Sequence, residues 1–392
     1  MVGDTSAHPP LPPTQEDDRL DWLRLLRSRR VGIVTFMRLL REHGTARAAL
    51  AALPAIARAA GVEDYAPCPE GVALAEYRAG LARGARLLLR GEAAYPPLLA
   101  LLPDAPPLLW ALGDLTLAAR PMVALVGARN ASSLGLRMAR QLAEGLGGAG
   151  FVVVSGLARG IDTAAHRAAL PTGTVAVMAG GVDHVYPPEN ADLADEIARR
   201  GLRLSEHPIG LEPQARHFPA RNRIVSGLCH GVVVVEAAER SGTLITARAC
   251  ADQGREVLAV PGHPMDPRAA GCNLLIRDGA TLVRSAEDVV EALGPSLDGS
   301  RPLAAPRAAS ETGSARRERT PSAPASRPAP VASPSDDLRA RILDRLGPSP
   351  LAEDQLIRDL GGSVAALAPT LTDLEIDGLI IRQPGGLLAL AA

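Results

Sequence analysis

The spacing of apolar side chains changes character along the chain. Residues 19–80 carry Leu23, Leu26, Val31, Phe36, Leu39 and Leu40 at roughly helical intervals, broken by Gly32, Gly44 and Gly61. That pattern predicts a small helical module, with a degenerate helix-hairpin-helix (or SAM-like) stretch from Ile33 to Gly61. From residue 81 to 295 the pattern changes. Apolar, β-branched runs at 122–126, 151–154, 174–178, 231–235 and 257–260 alternate with helical stretches at 133–147, 162–170, 189–200 and 243–252. An unbroken run such as Val232-Val-Val-Val suits a strand covered on both faces. Strand–helix alternation of this kind predicts a doubly wound, Rossmann-like parallel α/β sheet.

Residues 296–335 are mostly Pro, Ala, Ser and Arg, and residues 1–18 are polar and Pro-rich. Such segments bury too little apolar surface to offset chain entropy, so both are expected to be disordered. Residues 336–392 regain periodicity at Leu338, Ile342 and Leu343, at Leu356, Ile357 and Leu360, and at Leu367, Leu371 and Leu374. They end in Gly378-Leu-Ile-Ile-Arg and Pro384-Gly-Gly-Leu-Leu. Three short helices and a hairpin predict a winged-helix domain.

Composition changes this picture in three ways. Aromatic residues are only 2% of the chain against 47% apolar, so the core must be built from Ala, Leu, Val and Ile. Basic and acidic residues number 42 and 43, and every basic one is arginine. Binding to a polyanion must then come from local clusters of guanidinium forks, and mechanisms that need a phosphate-binding or Schiff-base lysine are excluded. Cys68, Cys229, Cys250 and Cys272 are widely spaced, which speaks against a zinc site or a disulfide framework. Nothing resembles a signal peptide, and no apolar run approaches the ~20 residues that span a bilayer. A cytoplasmic protein without membrane contact is expected.

Candidate chemistry gathers where strands end and helices begin, because those junctions present unpaired amides and a positive dipole end. The first is Val126-Gly-Ala-Arg-Asn-Ala-Ser-Ser. Here Gly127 permits close approach, Ser132 or Ser133 can cap the helix, and Arg129 can clamp a phosphate. It does not match G-x-G-x-x-G, which argues against a nicotinamide or flavin cofactor. The second is Ser155-Gly-Leu-Ala-Arg-Gly-Ile-Asp. Ser155, Gly156, Arg159 and Gly160 are its candidates, with Asp162 read as a helix cap and His166 as a packed group. The third is Glu236-Ala-Ala-Glu-Arg-Ser-Gly-Thr, whose Ser241, Gly242 and Thr243 suit an anion nest. Glu236 is read as bridging to a neighbouring loop.

Between them lies His217-Phe-Pro-Ala-Arg-Asn-Arg. Phe218 beside Arg221, Asn222 and Arg223 combines base stacking with phosphate neutralisation, as single-strand sites do. His184, His207, His217 and His263 fall in loop-like contexts without metal-ligand spacing. Neither a catalytic constellation, a metal site nor a cofactor site is expected.

Taken together the motifs resemble the DNA-processing protein A family. The resemblance runs from about Tyr95 to Leu293 and includes Tyr95-Pro-Pro-Leu-Leu, Gly180-Gly-Val-Asp-His-Val-Tyr-Pro-Pro-Glu-Asn, Ser205-Glu-His-Pro, Phe218-Pro-Ala-Arg-Asn-Arg-Ile-Val-Ser-Gly, Ser241-Gly-Thr-Leu-Ile-Thr-Ala and Gly271-Cys-Asn-Leu-Leu-Ile-Arg-Asp-Gly-Ala. It implies a non-enzymatic protein that protects incoming single-stranded DNA in natural transformation, loads RecA onto it and forms homodimers through the Rossmann-like domain. Positions that are lysine in relatives can only be arginine or absent here. The presumed recognition helix, beginning at Val364, has no basic residue, so the winged helix is expected to contact protein or to regulate. The rival from another class is a nucleoside-monophosphate hydrolase acting through Glu236 and Thr243. It would need a P-G-G-x-G-T-x-x-E block, which the sequence lacks. A third reading is a recombinase-partner scaffold whose DNA contact is incidental.

Overall fold

The computed structural model describes residues 16–297, 334–347, 350–361, 363–383 and 386–391. The expectations of disorder therefore fall mostly outside the described residues. Where they overlap, at 16–18, 296–297 and 334–335, the backbone is helical.

Four helices open the chain: α1 (Glu16–Arg27), α2 (Ile33–His43), α3 (Ala46–Ala59) and α4 (Glu70–Ala82). Thr45 starts α3 by accepting the Ala48 N–H at 3.2 Å, the ordinary role of a hydroxyl at a helix start. Leu23, Phe36, Leu39 and Leu40 are fully or almost fully buried, which is the outcome of their helical spacing.

The central domain then runs β1 (Arg86–Leu89), α5 (Pro97–Ala100), β2 (Leu108–Gly113), β3 (Met122–Val126), α6 (Ser133–Gly148), β4 (Val152–Ser155), α7 (Ile161–Ala169), β5 (Thr174–Val177), α8 (Ala191–Arg200), β6 (Leu202–Ser205), α9 (His217–Gly227), β7 (Gly231–Val234), α10 (Thr243–Asp252), β8 (Glu256–Ala259), α11 (Ala270–Arg277), β9 (Thr281–Leu282) and α12 (Ala286–Leu297). Nine strands form one sheet in the order β1-β2-β6-β5-β4-β3-β7-β8-β9. From β6 to β9 every pairing is parallel, whereas β1 and β2 add an antiparallel margin. Two apolar layers cover the faces. One is built on Val126, Val154, Val177 and Val234, the other on Val123, Val153, Val233 and Leu258. Alternate residues of one strand thus serve opposite layers, which is why these strands read as unbroken apolar runs.

The helical module is fused to the antiparallel margin. Leu87, Leu89, Leu108 and Trp110 share one apolar cluster with Leu23, Phe36 and Leu50. Trp110 lies against Gly80 of α4, where any β-carbon would overlap its ring. Its Nε1–H donates to Glu76 at 2.8 Å, and Arg27 grips the same carboxylate at 2.9 Å through both Nε and Nη2.

After residue 333 come α13 (Pro334–Arg345), β10 (Leu351–Ala352), α14 (Glu353–Leu360), α15 (Val364–Ile376), β11 (Ile380–Gln383) and β12 (Leu387–Leu390). The three strands pair antiparallel in the order β10-β12-β11. The apolar periodicity of this segment becomes a closed core, in which Ile342, Leu356, Leu367, Leu371, Leu374 and Leu388 are buried together. This is the winged-helix arrangement the sequence predicts. Among the described residues, no helix is long and apolar enough to cross a membrane.

Candidate nucleic-acid interface

The chain leaves β3 for β4, β5 and β6 on one side and for β7, β8 and β9 on the other. Strand order therefore reverses at β3, and the crevice beyond the carboxyl ends there is where open α/β sheets bind ligands. A chamber of about 1240 Å³ occupies that position. Its floor comes from the loop after β3, the loop after β4, the loop after β7 and the start of α9, with Arg129, Gly156, Phe218, Arg221, Asn222 and Ser241–Thr243 among the lining.

Arg129 lies over the Phe218 ring, its guanidinium carbon 5.3 Å from the centroid. Phe218 also meets Tyr186 edge-on at 5.7 Å. The stacking group and the phosphate group are thus already in contact, an arrangement that desolvates little and holds the fork over an aromatic face. Arg129 is exposed and makes no ion pair or hydrogen bond among the described residues. The same holds for Arg240, which adjoins Ser241 in sequence but belongs to none of the expected site residues. Asn130, His263 and Arg268 also line the chamber. Asn130 belongs to the first candidate junction, whereas His263 and Arg268 come from a loop whose composition carries no binding signature.

Ser241 and Thr243 form a small hydroxyl network at the start of α10. The Thr243 N–H donates to Ser241 Oγ at 3.2 Å, and Thr243 Oγ1 donates to Gly127 O at 3.1 Å. This ties the loop after β7 to the loop after β3 across the reversal point. Gly242, exposed between them, lies on the chamber.

Arg221 is buried rather than free, with 5% of its surface exposed. Its Nη1 donates to Val177 O at 2.9 Å, and its guanidinium lies flat against Gly156, where a β-carbon would overlap it. Burial, partly offset by Asp162, pulls its pKa down, although an arginine keeps its charge in either case. Asp162 accepts the Gly156 and Ala158 amides at 3.1 and 3.2 Å. Burial pushes its carboxyl up against the pull of Arg221. The Gly156 amide, expected to face a ligand, is therefore engaged inside the loop.

Four expected site residues sit elsewhere. Ser155 is fully buried and donates to Leu125 O at 2.7 Å, joining β4 to β3. Arg159 turns outward to an ion pair with Glu189, its Nη2 2.6 Å from Oε2. Gly160, at φ +75°, passes so close to Ala128 O that no side chain fits, so it shapes the loop and is absent from the chamber wall. Arg223 points away from Arg221, because residues two apart on a helix face nearly opposite ways. It pairs with Glu206 at 2.5 Å and donates to Asp104 O at 2.8 Å. His217, expected in a loop, is the first residue of α9, and Pro219 sits in that helix's first turn, where no amide donor is needed.

Glu236 and His166 take the structural roles expected of them. Glu236 accepts the Ser132 amide at 2.9 Å and the Ser132 hydroxyl, holding the start of α6. His166 is fully buried with Nδ1 2.7 Å from Thr174 Oγ1. Because Thr174 donates its own proton to Val153 O, the imidazole must donate from Nδ1, and burial lowers its pKa so that it stays neutral. No cluster of His, Cys, Asp or Glu suited to a metal occurs among the described residues.

Three family descriptions match the chain in order. They are a DprA-like N-terminal HHH domain over residues 16–79, DNA recombination-mediator protein A over 86–294 and a DprA winged-helix domain over 324–386. The central match alone spans more than half of the sequence. The chain belongs to the DNA recombination-mediator protein A family. Protein Smf of Synechocystis is 36% identical over 304 residues, covering 74% of this chain and 76% of its own. The DNA processing protein DprA of Streptococcus pneumoniae is 48% identical over 198 residues, half of this chain and 70% of its own. The X-ray structure of DprA from that species superposes with a TM-score of 0.54 at 42% identity, over 57% of this chain and 77% of that one. The chamber is lined from the region matched as the mediator domain and from the winged helix, with Ala389, Leu390 and Ala391 just beyond the latter match.

Proposed function

We propose that the chamber and the crest around it grip single-stranded DNA by its phosphates, with a base resting near Phe218, and that no bond is broken. The observation that carries this reading is that two exposed arginines of the chamber have no carboxylate partner among the described residues. Arg159, Arg223 and Arg268 are each matched by a carboxylate. Arg129 and Arg240, on the chamber, have none among the described residues. Uncompensated cations beside an aromatic ring and unengaged Asn130 and Asn222 amides suit a flexible polyanion and read no base edges. The hydrolase alternative loses its carboxylate, since both oxygens of Glu236 are held by Ser132.

Protection of incoming DNA during transformation, loading of RecA and pairing of two copies through the central domain extend this proposal. The first two are what a recombination mediator in such a pathway would do with a bound strand. The third is compatible with the two-residue edge strand β9, whose Thr281 and Leu282 are exposed.

Binding of labelled oligonucleotide should be measured across a salt series for single and double strands. Removing one phosphate-neutralising cation should lower the slope of log affinity on log salt by about 0.7 for single strands. Arg129→Ala and Arg240→Ala should each weaken binding and flatten that slope while leaving the melting temperature unchanged. Unchanged affinity in the double variant would refute the site.

A further inference from the structure

The wall of the chamber opposite the sheet is supplied by the winged helix. Leu343, Leu346, Ile381, Leu390 and Ala391 line it, accompanied by Asp344. None of that domain's described arginines lines the chamber: Arg339 meets Asp377, Arg341 donates to Leu360 O, Arg358 to Gln355 and Arg382 to Glu353. The remaining one, Arg345, donates to Ala131 O at 2.6 Å, in the loop between β3 and α6.

The contacts that seat the domain fall on the candidate interface itself. Arg268, on the chamber, donates through Nη1 to Asp344 O at 2.7 Å and through Nη2 to Leu346 O at 2.6 Å. On the flank, Arg140 of α6 lies 3.7 Å from Asp359 of α14. A largely apolar wall whose polar side chains are Asp344 and Gln383 brings no cation to a phosphate, and burying a phosphate against it removes more water than it replaces. Docking also engages both terminal nitrogens of Arg268, a chamber cation that Asp266 alone, among the described residues, would otherwise hold. The directed polar contacts of the seat are few, so exchange is feasible.

We propose that the winged helix and single-stranded DNA are competing occupants of the same crest, so that the docked domain holds the protein in a low-affinity state. The inference rests on the single-strand reading above. It gives the domain a regulatory task executed on this chain's own binding loops.

The test locks the seat reversibly in the full chain. Arg140→Cys and Asp359→Cys place two thiols across the flank, and the native cysteines Cys68, Cys229, Cys250 and Cys272 are all buried. A thiol-cleavable bismaleimide should join the pair, and each single-cysteine variant treated in the same way serves as control. The linked protein should bind a labelled oligothymidylate at least tenfold more weakly than before linking, with recovery after the linker is cleaved. Arg345→Ala, unlinked, should bind several-fold more tightly than the parent. Equal or tighter binding in the linked form would overturn the proposal, and would make the winged helix a wall that retains the strand. Failure of the pair to link would overturn it as well. Binding by no form at any salt would sink the single-strand reading, and this inference with it. Binding indifferent to the link would sink this inference alone.

Discussion

Gly156→Ala provides a sharp test of how the floor of the chamber is built. The backbone at 156 is not in the left-handed region, so an alanine is not strained there by itself. Its β-carbon, however, would overlap the Arg221 guanidinium. Arg221 must then leave the 2.9 Å bond from Nη1 to Val177 O. Hydrogen bonds to charged groups contribute about 1.5–3 kcal/mol, and forcing a side chain into a packed interior costs about 1–3 kcal/mol more. The substitution should therefore destabilise the central domain by about 2.5–6 kcal/mol. For a domain of this size that is a fall in melting temperature on the order of 10 °C.

The assay is urea unfolding of parent, Gly156→Ala, Arg221→Ala and the double variant. Once Arg221 is shortened, nothing occupies the space the alanine needs. Gly156→Ala should then cost less than about 1 kcal/mol in that background, leaving a coupling of about 3 kcal/mol between neighbours. An identical cost of Gly156→Ala in both backgrounds would refute the reasoning.

Two further outcomes follow from the same geometry. Arg223→Ala should leave single-strand affinity intact but cost about 1–3 kcal/mol of stability, because the Glu206 carboxylate it meets at 2.5 Å is left without its partner. Weaker binding at unchanged stability would return Arg223 to the interface. Burial, with a smaller push from Arg221, pulls His166 down to about 3 from its ordinary 6.5. Between those values the unfolded chain takes up a proton that the folded chain refuses. The contribution is complete above pH 6.5 and declines as pH falls, by about 1.4 kcal/mol per unit. Urea midpoints from pH 7 to 5 should show that decline, and His166→Gln should flatten it. An unaltered profile in the variant would rule out a buried neutral imidazole.

The parallel strands are legible in the sequence because their burial on both faces leaves unbroken Val runs, and α10 spans the helical stretch 243–252 that the sequence pattern predicts. The margins are not. β6 carries Arg203 in its middle, and that side chain is buried at 4% exposure, so the apolar run that would announce a strand is interrupted. The antiparallel β1 and β2 owe their existence to packing on the helical module, a partner that local periodicity does not reveal. At the site, the sequence discloses residue types and conceals orientations. Pro219 makes α9 look like a loop, so Arg221 and Arg223 read as companions although the helix sends them apart. The carboxylate that claims Arg159 lies 30 residues away, and no local pattern connects the two.

Trp110 connects two regions that the family descriptions treat as separate, one ending at 79 and the other starting at 86. Its ring belongs to the sheet, its neighbours belong to the helices, and Glu76 and Arg27 complete its polar edge. A cut at that border would strip Leu87, Leu89, Leu108 and Trp110 of their cover and leave a broad sticky surface. Fragments made there should aggregate, and grafting a relative's first eighty residues would succeed only if its side chains interlock with this tryptophan. The inheritance unit and the cooperative unit of this protein are therefore different lengths of chain.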